Sequence, residues 1–502
     1  MELLQHLVLG FETALTLQNI AYCFIGVLVG TAIGVLPGLG PTATIAMLLP
    51  ITYGLPPIAA LIMLAGIYYG AQYGGSTTAI LVNLPGEVSS VVTCLDGYQM
   101  ARQGRAGTAL AVAALGSFFA GTVATMLIAA FAPALTAFAF EFGPTEYFSL
   151  MLLGLIGAVV LAHGSLVKAI SMVLLGLLLG LVGTDVNSGV QRFAFGIAPL
   201  ADGIGVVGVA MGAFAFAEII LNVERKENRA AFINRVKGLW LTKQEFQEAA
   251  PAVLRGTALG SILGVLPGGG SLLGAFASYA VEKKLSKTPQ NFGKGDIRGV
   301  AGPEAANNAG AQTSFIPMLT LGIPATAVMA LMMGAMMIHN IQPGPSVMSS
   351  NPALFWGLIA SMWIGNAMLI LLNLPLIGFW IKLLAVPYKV LYPAILLFCV
   401  IGSFSINNSV FDIYIAAAFG VLGYIFAKLH CEPAPMLLGF VVGPLLEENL
   451  RRAMLLSRGD ASVFFTQPIS AVLLLVAAGM IILVTLPAIR KERDHVFSEE
   501  ES

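Results

Sequence analysis

The sequence predicts an all-α polytopic membrane protein built from two related halves. Three observations carry this. Of 502 residues, 57% are hydrophobic and 10% are charged, whereas a soluble domain carries roughly 25% charged residues. Mean hydropathy is +0.87, so lipid must solvate much of the chain. A glycine-proline motif also occurs twice, each copy interrupting an apolar stretch.

A spanning helix needs about 20 mostly apolar residues. Such stretches run over 17–36, 57–82, 106–135, 146–183, 203–221, 251–281, 315–338, 353–386, 390–427 and 467–489. Several are long enough for two passes or for a pass plus a broken helix, which gives an expectation of about 10–12 crossings. The first twenty residues carry no Lys or Arg; a surface-lying amphipathic helix is expected there rather than a cleavable signal peptide. Residues 222–250 are polar and contain Arg225, Lys226, Arg229, Arg235, Lys237 and Lys243. Basic loops stay in the cytoplasm, so this segment reads as a cytoplasmic linker. It separates an N-terminal membrane half, 1–221, from a C-terminal one, 251–489, and the tail 490–502, which carries Arg490, Lys491 and Arg493, reads as cytoplasmic by the same rule.

The halves repeat. Gly30–Gly40 reads GTAIGVLPGLG and Gly260–Gly270 reads GSILGVLPGGG, with seven of eleven positions identical. Gly70-Ala71-Gln72 then matches Gly310-Ala311-Gln312, and Leu84-Pro85 matches Ile323-Pro324 after a one-residue gap. Duplicated, interrupted apolar segments are the signature of secondary transporters. The stretch 251–281 begins beside the basic linker and ends at Glu282-Lys283-Lys284. Broken at its glycines, it gives two arms of about 15 residues, each roughly 22 Å long against a bilayer core of roughly 30 Å. That suits a re-entrant hairpin. The first copy ends in uncharged Tyr53-Gly54-Leu55-Pro56-Pro57, so the repeats are expected to be inverted.

Proline removes a backbone donor and glycine relaxes the dihedrals, so helices break at these motifs. Broken backbone at membrane depth is tolerated where it lines a polar cavity. The half-helices starting at Pro41-Thr42 and Ser271 aim their N–H groups at the break, which makes an anion site. Gly38, Gly40, Pro41, Thr42, Gly268, Gly269, Gly270 and Ser271 are therefore candidate substrate-binding residues. Gly40→Val and Gly270→Val are expected to block transport, with Thr42→Ala and Ser271→Ala milder. The second pair of motifs, GAQYGGSTT with NLPGE and GPEAANNAGAQTS with TLGIPAT, is richer in hydroxyls and amides. Gly75, Ser76, Thr77, Asn307, Thr313 and Ser314 join the substrate set. Gln72, Asn83, Asn308, Gln312 and Thr326 are candidate ligands of a coupling Na⁺, because amides and hydroxyls can replace its water shell. Small and hydroxyl residues also serve as interhelical glue.

Other residues carry less. Glu304 is a candidate for a cation or a proton. Asp185, Asp202, Glu218 and Asp412 read as solvated or paired acids, His163 and His339 as structural histidines, and Arg451-Arg452 with Glu447-Glu448 as a helix-end charge cluster. Cys23, Cys94, Cys399 and Cys431 are scattered and indicate neither a zinc site nor a disulfide framework. Gly38–Ala43 fits GxGxxA, but without a βαβ context. No Walker A sequence and no HExxH or GxSxG occurs, so ATP hydrolysis and enzyme chemistry are not expected, nor is any cofactor beyond Na⁺ or H⁺. A net charge of −1 gives no basic face for nucleic acid. A channel or non-transporting scaffold is the alternative, but a channel favours rings of like residues.

GVLPGLGPTATIAMLLP, YYGAQYGGSTTAILVNLPGE, GVLPGGG and GPEAANNAGAQTSFIPMLTLGIP resemble the tripartite tricarboxylate transporter family, in particular its large TctA-like membrane subunit, over about residues 18–486. The resemblance implies a bacterial inner-membrane protein importing citrate-like carboxylates with a cation. It also implies two partners, a small membrane subunit and a periplasmic solute-binding protein, and an elevator-like fold with helical hairpins.

Overall fold

The computed structural model describes residues 2–36, 39–162, 165–185, 187–224, 236, 238–266, 268–384, 386 and 388–485. Pro37, Gly38, His163, Arg225, Lys226, Arg229, Arg235, Lys237, Pro267 and the tail 490–502 lie outside them. The described residues are mostly helical, with almost no strand.

The first half begins with α1 (Glu2–Ala14), which lies along a later helix, followed by α2 (Leu17–Gly34), α3 (Pro41–Thr52), α4 (Pro57–Val82), α5 (Val91–Arg102), α6 (Ala106–Ala139), α7 (Pro144–Leu161) and α8 (Leu166–Gly180). A two-residue β-ladder pairs Gly183–Thr184 with Gln191–Arg192. α9 (Val206–Ala210) passes through a π-helical turn, Met211–Phe216, into α10 (Ala217–Glu224). The second half holds α11 (Lys243–Leu263), α12 (Gly270–Leu285), α13 (Arg298–Thr313), α14 (Phe315–Leu321), α15 (Ala327–Ile338), α16 (Ser346–Ser350) and α17 (Pro352–Asn373), then α18 (Ile377–Leu384), α19 (Tyr388–Asn407), α20 (Val410–Lys428), α21 (Pro433–Leu456), α22 (Val463–Thr466) and α23 (Pro468–Thr485).

Six of these helices, counting α9–α10 as one, are long and apolar enough to cross a membrane: α2, α6, α7, α9–α10, α17 and α20. That is fewer than the expected 10–12. The glycine breaks and prolines cut other apolar stretches into helices of 10–17 residues, such as Pro41–Thr52 and Ala327–Ile338. Large apolar side chains cover the outside, among them Leu174, Leu178, Phe398, Ile401, Val421, Leu475 and Ile482. An exposed apolar coat of this extent is what lipid contact requires.

α4 and α13 are buried nearly all round and form the centre. Each packs on a glycine-striped neighbour. On α2, a Cβ added to Gly30 would lie 2.7 Å from Ile67 Cα, and one added to Gly34 would lie 2.6 Å from Ala71 Cα. On α11, the same addition at Gly260 would lie 2.6 Å from Ala306 Cα, and at Gly264 2.5 Å from Gly310 Cα. The paired axes are thus close enough to exclude side chains. This packing sets Ala71 opposite Gly34 as Gly310 stands opposite Gly264, one residue away from the sequence match of Gly70–Gln72 with Gly310–Gln312. In the same register both helices of the second motif pair end on a left-handed residue, Asn83 (φ 56°) and Gly322 (φ 69°), and the one-residue gap disappears.

α11 starts at Lys243, inside the stretch expected to be linker. Thr242 caps it: its hydroxyl accepts from Glu245 N–H while Glu245 Oε2 accepts from Thr242 N–H at 2.9 Å. This reciprocal cap lets a polar turn continue the apolar helix outward. α1 rests on α17 through stacked rings, His6 on Trp356 and Phe11 on Trp363.

Candidate functional site

The two breaks meet. Gly40, Pro41 and Thr42 at the start of α3 and Gly268, Gly269 and Ser271 at the start of α12 line one cavity of about 550 Å³. Pro41 occupies the first helical position of α3, where its missing N–H costs nothing. Neither α3 nor α12 has a side-chain N-cap, so first-turn N–H groups of both are available to a ligand. The π-helical turn also contributes, through Ala213 and Phe214; such bulges recur at functional sites. Among the described lining residues there is no Lys, Arg or His. An anion held here relies on helix N-termini and hydroxyls.

Several sequence candidates lie on this wall: Gly40, Pro41, Thr42, Gly268, Gly269, Ser271, Gln72 and Thr326. Gly38 lies outside the described residues. The Gly268 N–H is already used, donating to Ala325 O at 2.7 Å. Gly270 opens α12 with φ +36°, and a Cβ there would lie 2.7 Å from Thr326 Cγ2. Thr326 caps α15 by accepting from Met329 N–H at 3.2 Å. Gly40, by contrast, has an ordinary extended backbone, φ −70° and ψ 170°, and a Cβ there would meet only Gly86 O at 3.5 Å.

The remaining candidates sit behind the wall. Gly75 packs against Gly86 and Glu87. Asn307 Nδ2 donates to Glu87 Oε1 at 2.9 Å. Ser76 donates to Glu304 Oε2 at 2.7 Å, and Thr77 lines the same small cavity as Glu304, about 20 Å³, on the far side of α4. Asn308 Nδ2 donates to Ser117 Oγ at 2.7 Å and to Glu304 O at 3.1 Å. Thr313 and Ser314 return their hydroxyls to Ala309 O and Ala311 O. Asn83 is exposed at the end of α4, where its role is the left-handed cap. The side-chain oxygens of Gln72, Asn307 and Gln312 are buried with no hydrogen-bond partner among the described residues.

Among the lining residues not put forward from sequence are the acids Glu87 and Glu432, and Glu218, read as a solvated or paired acid, lines the cavity too. Acids in an anion site are not expected from charge alone, although Glu87 closes the quoted NLPGE run. Tyr68 also lines the cavity, with its hydroxyl among Gln72, Ser271 and Ser314; it opens the quoted YYGAQYGG run, but its residue type alone does not mark it as a ligand.

Residues 20–438 match the sequence profile of the Tripartite tricarboxylate transporter TctA family. The chain belongs to this family. It is a multi-pass membrane subunit of a tripartite tricarboxylate transporter, and the TctA family is a family of transporters rather than enzymes. Two relatives come from Agrobacterium vitis. One, described as an uncharacterized 52.8 kDa protein in the TAR-I ttuC' 3' region, is 61% identical over 501 residues and covers 100% of both chains. The other, an uncharacterized protein in the TAR-II ttuC' 3' region, is 63% identical over 242 residues, spanning 48% of this chain and 100% of the relative. No solved structure matches the chain.

Proposed function

We propose that this TctA-family chain is the translocation subunit of a cation-coupled secondary transporter, dependent on a solute-binding protein, that imports tricarboxylates or related organic acids across the bacterial inner membrane. The single observation that carries the reading is the shared cavity. Two uncapped helix N-termini from separate halves converge on it, with no basic side chain among the described lining residues. Partial positive charge at helix ends favours carboxylates, and two such ends suit a substrate with more than one.

The same feature argues for a coupling cation. The wall holds the acids Glu87, Glu218 and Glu432, which where ionised repel a multiply charged anion, so Na⁺ or H⁺ is needed beside it. The unpartnered amide oxygens of Gln72 and Gln312, with Thr326 and Asn308, are the Na⁺ ligands put forward; Asn83 at its exposed cap is the weakest of them. The repeats are taken as inverted, so that the two half-helices enter the cavity from opposite sides of the membrane. A periplasmic solute-binding protein delivers the acid and a small membrane subunit completes the complex within the bilayer.

The test is uptake of radiolabelled citrate into vesicles from cells expressing the chain with its two partners. Accumulation is expected only under an imposed Na⁺ or proton gradient, without ATP. Equal uptake with and without both gradients overturns the coupling, and no uptake of citrate or any smaller carboxylate overturns the substrate class.

A further inference from the structure

A second polar centre lies outside the cavity just described. Glu304, on α13, is 1% exposed. Its Oε1 accepts from the Thr93 hydroxyl of α5, and its Oε2 lies 2.7 Å from the Ser76 hydroxyl of α4. No Lys or Arg among the described residues comes within ion-pair distance. A buried carboxylate without a cation is costly, and more so at membrane depth.

Counting hydrogens indicates how the site avoids that cost. Ser76 Oγ has one hydrogen and two acceptors in reach, Glu304 Oε2 at 2.7 Å and Gln72 O at 3.1 Å. With Glu304 ionised, Ser76 and Thr93 both donate to the carboxylate, the Gln72 carbonyl keeps its helical N–H, and a full charge stays buried. With Glu304 protonated, Oε2–H donates to Ser76 Oγ, Ser76 donates to Gln72 O, and Thr93 donates to Oε1. The same contacts then serve without a buried charge. We propose that Glu304 is a proton-binding site, and that its proton is the one that crosses with the organic acid.

The surroundings suit a site that loads and unloads. Beside Glu304 is the cavity of about 20 Å³, and roughly 10–15 Å³ holds one water. Arg298, which begins α13 and pairs with Asp296 at 2.6 Å, is six residues earlier, roughly 9 Å along the axis. In the other direction, Asn307 follows on the same helical face and holds Glu87 on the wall of the large cavity. The site thus stands between a polar end of the bundle and the substrate cavity. The ionisable groups turned toward it are Tyr73 on α4, Cys94 on α5 and Glu87 at the corner between them. On the other neighbours, Arg255 of α11 and Glu282 of α12 pair with each other at 2.6 and 2.7 Å. Tyr279 of α12 donates to Asp96 of α5 at 3.0 Å. α6 presents Ser117 and carries no ionisable side chain.

Because the coupling claim rests on the transport reading above, the experiment has two arms. The first is infrared spectroscopy of the purified full chain in lipid, which reads protonated carboxyls without any transport. The wild type should show a carboxylic C=O band at neutral pH that is lost in Glu304→Gln, and Ser76→Ala should move that band because it removes the acceptor of the Oε2–H bond. Should Glu304→Gln fail to insert, Ser76→Ala decides this arm. An unchanged carboxyl spectrum in the variants that insert overturns the proton site. The second arm is radiolabelled citrate accumulation in vesicles under an imposed pH gradient. Glu304→Gln should fall to the level of vesicles lacking the transporter, with Glu304→Asp, which keeps a titratable group, retaining part of it. Wild-type accumulation by Glu304→Gln overturns the coupling role. If the wild type accumulates citrate under a Na⁺ gradient but not under a pH gradient, the coupling role of Glu304 is overturned and the transport reading stands; if it moves neither citrate nor any smaller carboxylate under either gradient, the transport reading fails, and the infrared arm still decides whether Glu304 holds a proton.

Discussion

At the scale of single residues, the two breaks look alike in sequence and differ in backbone. Gly270 has φ +36° and leaves no room for a Cβ, which would press on Thr326. Gly40 has φ −70° and open space beside it. The expectation that valine is equally damaging at both positions is therefore revised. Gly270→Ala should abolish citrate uptake, since an L side chain resists left-handed backbone and displaces the residue that caps α15. Gly40→Ala should retain most of it. Thr42→Ala and Ser271→Ala each remove one hydroxyl, worth about 0.5–1.5 kcal/mol as a neutral hydrogen bond and about 1.5–3 kcal/mol to a carboxylate. Initial uptake rates at matched amounts of membrane protein check this order, and a Gly270→Ala variant as active as Gly40→Ala would contradict it. Glu87 shows the limit of residue-level reading. Its type argued against an anion cavity, and its bond to Asn307 and its place on the wall became visible only once α4, α5 and α13 were packed.

At the scale of elements, the decisive feature is how closely helices approach. α2 meets α4 through Gly26, Gly30 and Gly34, and α11 meets α13 through Gly256, Gly260 and Gly264. The apolar and small composition of these stretches was legible from sequence. The one-residue register between the matched helices was not, because it is fixed by which backbone atom faces each glycine. A Cβ at Gly30 or Gly260 would intrude on the backbone of the facing helix, and backbone cannot rotate away as a side chain can. Gly30→Ala and Gly260→Ala should each destabilise the bundle by about 1–3 kcal/mol, the usual cost of overpacking. Gly54→Ala, with nothing within 4 Å of the added carbon, is the matched control. Thermal unfolding in one detergent reads the difference; midpoints for Gly30→Ala and Gly260→Ala equal to the control would mean that the helices can separate freely.

At the scale of the whole molecule, ion pairs outside the apolar bundle add to the buried polar ties between the halves. Asp185, in the turn after α8, pairs with Arg451 of α21 at 3.1 Å, and Arg192 pairs with Glu447 at 2.7 Å. Asp185, Glu447 and Arg451, read from sequence as solvated or helix-end charges, thus share one network with Arg192, while Arg452 pairs with Glu448. The Ser188 hydroxyl, the Asn187 N–H and the Arg451 guanidinium together hold the Asp185 carboxyl below its ordinary value of 3.8. A carboxyl so depressed favours the folded arrangement at neutral pH, and that contribution fades as pH falls below the ordinary value and through the lowered one. The protection factors of amides 187–192, which are the intrinsic exchange rate at each pH divided by the observed one, should therefore fall in acid in the wild type. In Asp185→Asn they should be lower already at neutral pH and respond less to acid. Identical pH profiles for the two proteins would remove the ion pair from the account.

The sequence by itself determined the membrane class, the helical content, the two glycine-proline breaks and the family. Each of these depends on local properties: how many apolar residues stand in a row, where proline removes a donor, and which short motifs recur. Only the tertiary structure decided that the breaks share a cavity, and that α7, the π-helical turn and the α20–α21 corner supply much of its wall. It alone divided the polar motifs into those that face the cavity, Gln72 and Thr326, and those that turn to Glu304, Ser76 and Asn308. The physical reason is that a buried helix such as α4 or α13 is enclosed on every side. Its periodicity therefore carries no signal of which face meets ligand and which meets protein. Direction is set by the neighbours, and the neighbours come from distant parts of the chain.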